Sequence, residues 1–112
     1  MVVAQDPANG SAMSHGVAAL AALGESERAK EWAERALLLD PDNTNMRYNF
    51  ACMYILDLHD HEAALEILES VLAKVRIEAL RWIRTDPDLD AIREHPRFKA
   101  MLAAAEARLA RA

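Results

Sequence analysis

Residues 25–56, ESERAKEWAERALLLDPDNTNMRYNFACMYIL, decide how this chain folds. Ala29, Trp32, Ala33, Ala36 and Leu37 recur at helical spacing along one face, as they must when one side of a helix is buried. The run then meets Asp40-Pro41-Asp42-Asn43. Proline disfavours helical geometry in the residue before it, so the first helix should stop at Leu39 or Asp40. Asn43 or Thr44 can cap a second helix, whose apolar stripe is Met46, Phe50, Met53 and Tyr54, because a short side-chain oxygen there satisfies the first unpaired amides. A helix, a tight break and another helix make a helical hairpin.

Upstream, Ser11 is a cap for a helix over about residues 12–23, built on Ala12, Ala18, Ala19, Ala21 and Ala22 and stopped by Gly24. Small side chains of that kind let neighbouring helices approach closely. Downstream, Asp57 to Asp60 reads as a turn, and Asp60 as the cap of a helix ending near Lys74. The two halves overlay. Met13, Gly16, Val17 and Leu20 align with Arg47, Phe50, Ala51 and Tyr54 at a spacing of 34. Ala29, Glu31, Glu34 and Leu37 match Ala64, Glu66, Glu69 and Leu72 identically at a spacing of 35. The extra residue falls in the turn at Asp57 to His61, where an insertion costs least.

Helix pairs repeating near this period resemble tetratricopeptide repeats. Phe50, Ala51 and Tyr54 in one pair, and Ala29, Ala36 and Asp40-Pro41 in the other, stand at positions similar to that family's signature. The match departs at Gly16, one place early, and at Arg47, where a large apolar residue is usual. The second repeat also lacks a glycine turn and a closing proline. Trp82 falls where a third repeat would place its tryptophan, but that helix, starting near Glu78, is cut short at Asp86-Pro87.

The tail WIRTDPDLDAIREHPRFKAMLAAAEARLA, residues 82–110, continues through a turn-like stretch at Asp88 to Arg93 into a helix opened by Pro96. It resembles the closing segment of bacterial tetratricopeptide proteins, in which a last amphipathic helix covers the open end of the stack. Such a cover is needed because a terminal repeat otherwise leaves its apolar face in water. With RYNFACMY, it also resembles the C-terminal repeat region of bacterial class III adenylate cyclases.

The expected fold is therefore all-α, a right-handed stack of antiparallel helix pairs of the tetratricopeptide kind. Residues 1–10 form a flexible lead-in, 11–42 the first repeat, 43–75 the second, and 76–112 a degenerate third repeat with a C-terminal capping helix. Trp32, Phe50, Tyr54, Trp82 and Phe98 are the expected bulky contacts.

Composition narrows the function. The chain has 112 residues, 53% of them hydrophobic and only 5% aromatic, with a net charge of −5. It is one small domain, short for an enzyme with its own substrate cavity. An acidic chain without a basic stripe is a poor partner for nucleic acid. No apolar run nears the roughly 20 residues that cross a bilayer, and MVVAQDPANG lacks the basic start of a signal peptide. The single cysteine, Cys52, cannot form an internal disulfide and fits a reducing, cytoplasmic setting.

Catalytic motifs are weak. His59-Asp60-His61-Glu62 is the densest group of metal-ligating residue types, and a small metal-dependent hydrolase would use it. Adjacent residues on one turn rarely enclose a metal unaided, and Asp60 is already needed as a cap. Cys52 has no basic neighbour on its helix to activate it. Asp86, Asp88 and Asp90 lack the glycine and closing glutamate of a calcium loop. No catalytic residue, metal or cofactor is expected.

Surface recognition remains. The resemblance implies a concave groove lined by the first helix of each pair, which places Ser14, Ala18, Asn45, Tyr48, Asn49, Cys52 and Ile55 on it. The groove is nearly uncharged, with Tyr48 as its amphipathic anchor. A carboxylate-clamp groove would carry Lys and Asn where this chain has Ser14 and Ala18, so that subtype is excluded. The expected function is a non-catalytic scaffold or adaptor that binds an unidentified protein or peptide, or the regulatory tail of a signalling protein such as a nucleotide cyclase. The alternative within binding is a self-associating module whose apolar end pairs with its twin.

Overall fold

A computed structural model describes the backbone of residues 10–111 and the side chains of residues 16–111. Among the described residues there are six α-helices and one 3-10 helix, and no strand. They run α1 (Gly10–Ala22), α2 (Ser26–Leu39), α3 (Thr44–Leu56), α4 (His61–Leu72), α5 (Ile77–Thr85), η1 (Pro87–Ile92) and α6 (Pro96–Ala110). No helix among them is long and apolar enough to cross a membrane.

The local signals act where the chain chemistry requires. The backbone N–H of Gly24 donates to Ala21 O (3.1 Å) and that of Glu25 to Leu20 O (2.9 Å), with Gly24 at φ +79°. This pair of bonds closes α1 and needs a left-handed residue at its centre, which glycine adopts without penalty. Asn43 accepts from the Met46 amide (3.0 Å) to cap α3, and Asp60 from the Ala63 amide (3.2 Å) to cap α4. The Asp60 carboxyl is held below its usual range by that cap bond and by Lys30, 3.2 Å away. Pro96 opens α6, with His95 Nδ1 accepting from the Arg97 amide (3.1 Å). The first helix differs from expectation: α1 already includes Gly10 and Ser11, so Ser11 lies inside it and does not cap it. Gly and Ser each cost under about 1 kcal/mol in a helix, which an Ala-rich continuation outweighs. The rest of the lead-in lies outside the described residues.

Helices α1 and α2 pack together, as do α3 and α4, and the two hairpins meet through α1 and α3. α3 is the central element. Met46, Phe50, Ala51, Cys52, Met53, Tyr54 and Ile55 are all buried, so α3 is covered on more than the one stripe expected. The added cover is η1, which packs on α3 and carries the buried Leu89 and Ile92. α6 packs on both α4 and α5, burying Phe98, Met101 and Ala105.

Three arginines tie these late elements down. Arg93 Nη2 donates to Asp86 O (2.6 Å) and Nη1 to Arg84 O, which covers the carbonyl end of α5. Arg108 Nη2 donates to Leu72 O (3.0 Å) and Val75 O (2.7 Å), doing the same for α4. Arg97 pairs with Glu69 (3.0 Å) at the start of α6. Helix ends expose carbonyls with no intrahelical partner, so a guanidinium there supplies donors and complements the dipole.

Of the five bulky contacts expected, Phe50, Tyr54 and Phe98 are buried and Trp32 is half-buried. Trp82 is not a core residue: it is 60% exposed. A third repeat would have covered it, and here the chain turns away at Pro87 instead.

Candidate functional site

Because η1 rather than α5 packs closely along α3, a gap of about 370 Å³ stays open between α3 and α5. Its lining comes from one face of α3 (Thr44, Asn45, Tyr48, Asn49) and one face of α5 (Ala79, Trp82, Ile83), with Val71 and Val75 as the floor between them. Residues three and four apart on a helix share a side, which sets both faces. None of these side chains carries a formal charge.

Tyr48 is the fixed point. Its hydroxyl donates to Asp86 Oδ2, joining α3 to the junction of α5 and η1. Asp86 is only 4% exposed, and its other oxygen accepts from the Asp88 amide (3.0 Å) to cap η1. Burial, then the bond to Asp86, raises the Tyr48 pKa above that of an ordinary phenol, so the proton stays on the hydroxyl. With its polar tip engaged, Tyr48 presents its ring to the gap. Trp82 faces it with an exposed indole, and the Asn45 and Asn49 carboxamides are exposed at its edge.

The sequence-derived groove residues divide. Asn45, Tyr48 and Asn49 come together in the gap. Cys52 and Ile55 are buried, 8% and 3% exposed, in the core beneath. Ala18 is exposed on α1 and does not line this gap, and the Ser14 side chain lies outside the described residues. Trp82, Ala79 and Val75 were not among the expected lining. The spacing of Ala79, Trp82 and Ile83 puts them on one helical face, which is the local signal for them.

Cys52 Sγ and one oxygen each of Asp86 and Asp88 lie within 4.8 Å of one another, the one such group of metal-ligating side chains among the described residues. Asp86 ties this group into a hydrogen-bonded joint with Tyr48 and the Asp88 amide. Burial, then the Asp86 and Asp88 carboxylates, pushes the Cys52 thiol up to about 11, so Cys52 is a neutral thiol and not a nucleophilic thiolate near neutral pH. Both Asp86 oxygens already accept hydrogen bonds. The His59–Glu62 turn forms no comparable group among the described residues; His59 sits at φ +53° and Asp60 is engaged with the Ala63 amide and Lys30.

No family model, curated protein or solved structure matches the chain. The site offers two aromatic surfaces, exposed carboxamides and an aliphatic floor, a set suited to holding a neutral segment of another molecule.

Proposed function

We propose that this chain is a non-catalytic interaction module whose α3–α5 groove binds an extended, largely uncharged peptide segment of a protein partner. The observation that carries this reading is the pairing of Tyr48 and Trp82 across an uncharged gap edged by Asn45 and Asn49. Aromatic rings supply contact area at low entropic cost, and carboxamides both donate to and accept from a peptide backbone. The helix-pair pattern and its resemblance to tetratricopeptide repeats support a scaffold or adaptor role. The resemblance of the tail to bacterial class III adenylate cyclases favours, within that role, the regulatory part of a signalling protein.

The test is selection of peptides from a displayed random library on the intact chain, followed by titration of the winners against variants. Trp82→Ala should weaken binding by about tenfold or more, as loss of an aromatic anchor does. Asn49→Ala should weaken it by less, and Ala18→Glu should leave it unchanged. Raising the salt concentration should alter affinity little, since the lining is uncharged. Selected peptides that bind Trp82→Ala as tightly as the original chain would remove the groove from the proposal.

A further inference from the structure

His95-Pro96-Arg97-Phe98 opens α6, the helix that covers α4 and α5. Its cap differs in kind from those of α3 and α4, where the oxygens of Asn43 and Asp60 accept the amides. At α6 the acceptor is an imidazole: His95 Nδ1 takes the Arg97 backbone N–H at 3.1 Å. A ring nitrogen accepts only while it carries no proton, so this bond requires the neutral ring with its hydrogen on Nε2. Nε2 lies 3.8 Å from Glu62 Oε1 on α4, beyond hydrogen-bond reach. The ring is 38% exposed, so protons reach it from solvent. His95 thus stands between two partners that need different protonation states. The amide takes the neutral ring, and the carboxylate takes the charged one.

We infer that His95 is a pH-sensitive switch at the joint of α4 and α6, capping α6 when neutral and turning to Glu62 when protonated. A proton on Nδ1 sets donor against donor at the Arg97 N–H. The positive end of the helix dipole also repels an imidazolium held at the cap, while the Glu62 carboxylate draws it away. The ring therefore leaves the amide, and the Arg97 N–H passes to water. The neighbouring charges permit this exchange. Arg97 shares Glu62 at 3.8 Å but holds Glu69 more closely, at 3.0 Å, so it yields Glu62 without losing its ion pair. Glu66 lies on the same face of α4 as Glu62 and adds to the negative field there. Glu94 is bound by Lys99 (2.6 Å), which holds its carboxyl below the usual range and keeps it ionised where histidines titrate. Arg93 is engaged with Asp90 and with the carbonyls of Arg84 and Asp86. His61, next to Glu62 in the chain, is a second imidazole and serves as the control.

Nuclear magnetic resonance of the full chain from about pH 5 to 8 tests this, following the His95 ring and the Arg97 backbone amide together. The Arg97 amide should shift with the same midpoint as the ring. Its protection from exchange, corrected for the intrinsic rate, should fall by about fivefold on the acid side, the size of a lost cap. His95→Asn keeps an accepting oxygen at every pH and should hold the Arg97 amide constant throughout. His95→Ala should show the lower protection at both ends of the range. Glu62→Gln removes the charged partner and should move the midpoint to lower pH, whereas His61→Gln should leave the transition in place. An Arg97 amide that does not follow the His95 ring overturns the inference. So does a His95→Asn chain that loses protection in acid as the unaltered chain does, or a midpoint indifferent to Glu62→Gln.

Discussion

Ala29, Ala33, Ala36 and Leu37 of α2 hold the same repeat positions as Ala64, Leu68, Val71 and Leu72 of α4. The two helices nevertheless meet different surroundings. In α2 the buried residues are alanines, Leu37 is only half-buried, and Leu38 is 82% exposed. In α4 two of these positions carry larger side chains, Leu68 for Ala33 and Val71 for Ala36, and Leu68 and Leu72 are almost wholly buried. The cause is neighbours. α4 is covered by α3 and by α6, whereas α2 packs chiefly on α1. The same leucine is half-buried at Leu37 and buried at Leu72, so burial follows the number of covered faces, and the large enclosed side chains lie mostly in the second half of the chain.

The strongest way to break that comparison is to remove the same side chain from both helices. Leu72→Ala should cost about 2–5 kcal/mol, because a filled and enclosed site is left as a cavity. Leu37→Ala should cost about 1 kcal/mol, in line with partial burial. Urea denaturation of each variant measures both, and equal losses would show that the two pairs are equally enclosed.

Alkaline titration sharpens the contrast. Folding raises the Cys52 thiol from 9.0 to about 11 and the Tyr54 phenol from 10.0 to about 12. The folded chain thus retains protons that the unfolded chain has already released. That stabilisation is whole below about pH 9 and is lost as pH rises through about 11, amounting to about 2–3 kcal/mol for the thiol. Both groups belong to α3, so amide exchange in α3 and α4 should accelerate over this range. Cys52→Ala should flatten the thiol's share of the slope.

The smallest effect belongs to the first pair. At Gly24 a Cβ would meet nothing within 4 Å, but φ is +79°. Gly24→Ala should therefore cost about 1 kcal/mol through the backbone alone. Thermal unfolding reads the loss, and exchange should quicken near the α1–α2 turn while α4 stays protected.

These differences also explain what could be read in advance. The helix boundaries were legible because their signals are local: Gly24 stops α1, Asn43 and Asp60 cap α3 and α4, and Pro96 opens α6. Three of the nine residues that line the gap, Asn45, Tyr48 and Asn49, could be grouped in advance because they share one helical face. What escaped depends on contacts distant in sequence. Tyr48 bonds Asp86, 38 residues on, and no periodicity announces such a partner. The burial of Cys52 and Ile55 follows from η1 returning across α3, which converts an expected groove wall into core. Trp82 was expected in the core on repeat register alone, and its exposure follows from the same turn at Pro87.

Arg108 reaches back 36 and 33 residues to the carbonyls of Leu72 and Val75. Synthesis proceeds from the N-terminus, so α4 emerges from the ribosome well before the guanidinium that finishes it. Through that interval those carbonyls have only water for partners, and the apolar side of α4 awaits α6. A nascent chain stalled ahead of Arg108 would carry a frayed α4, open to proteases and chaperones. The end of α4 is thereby finished only once the turn of α6 that carries Arg108 has been made.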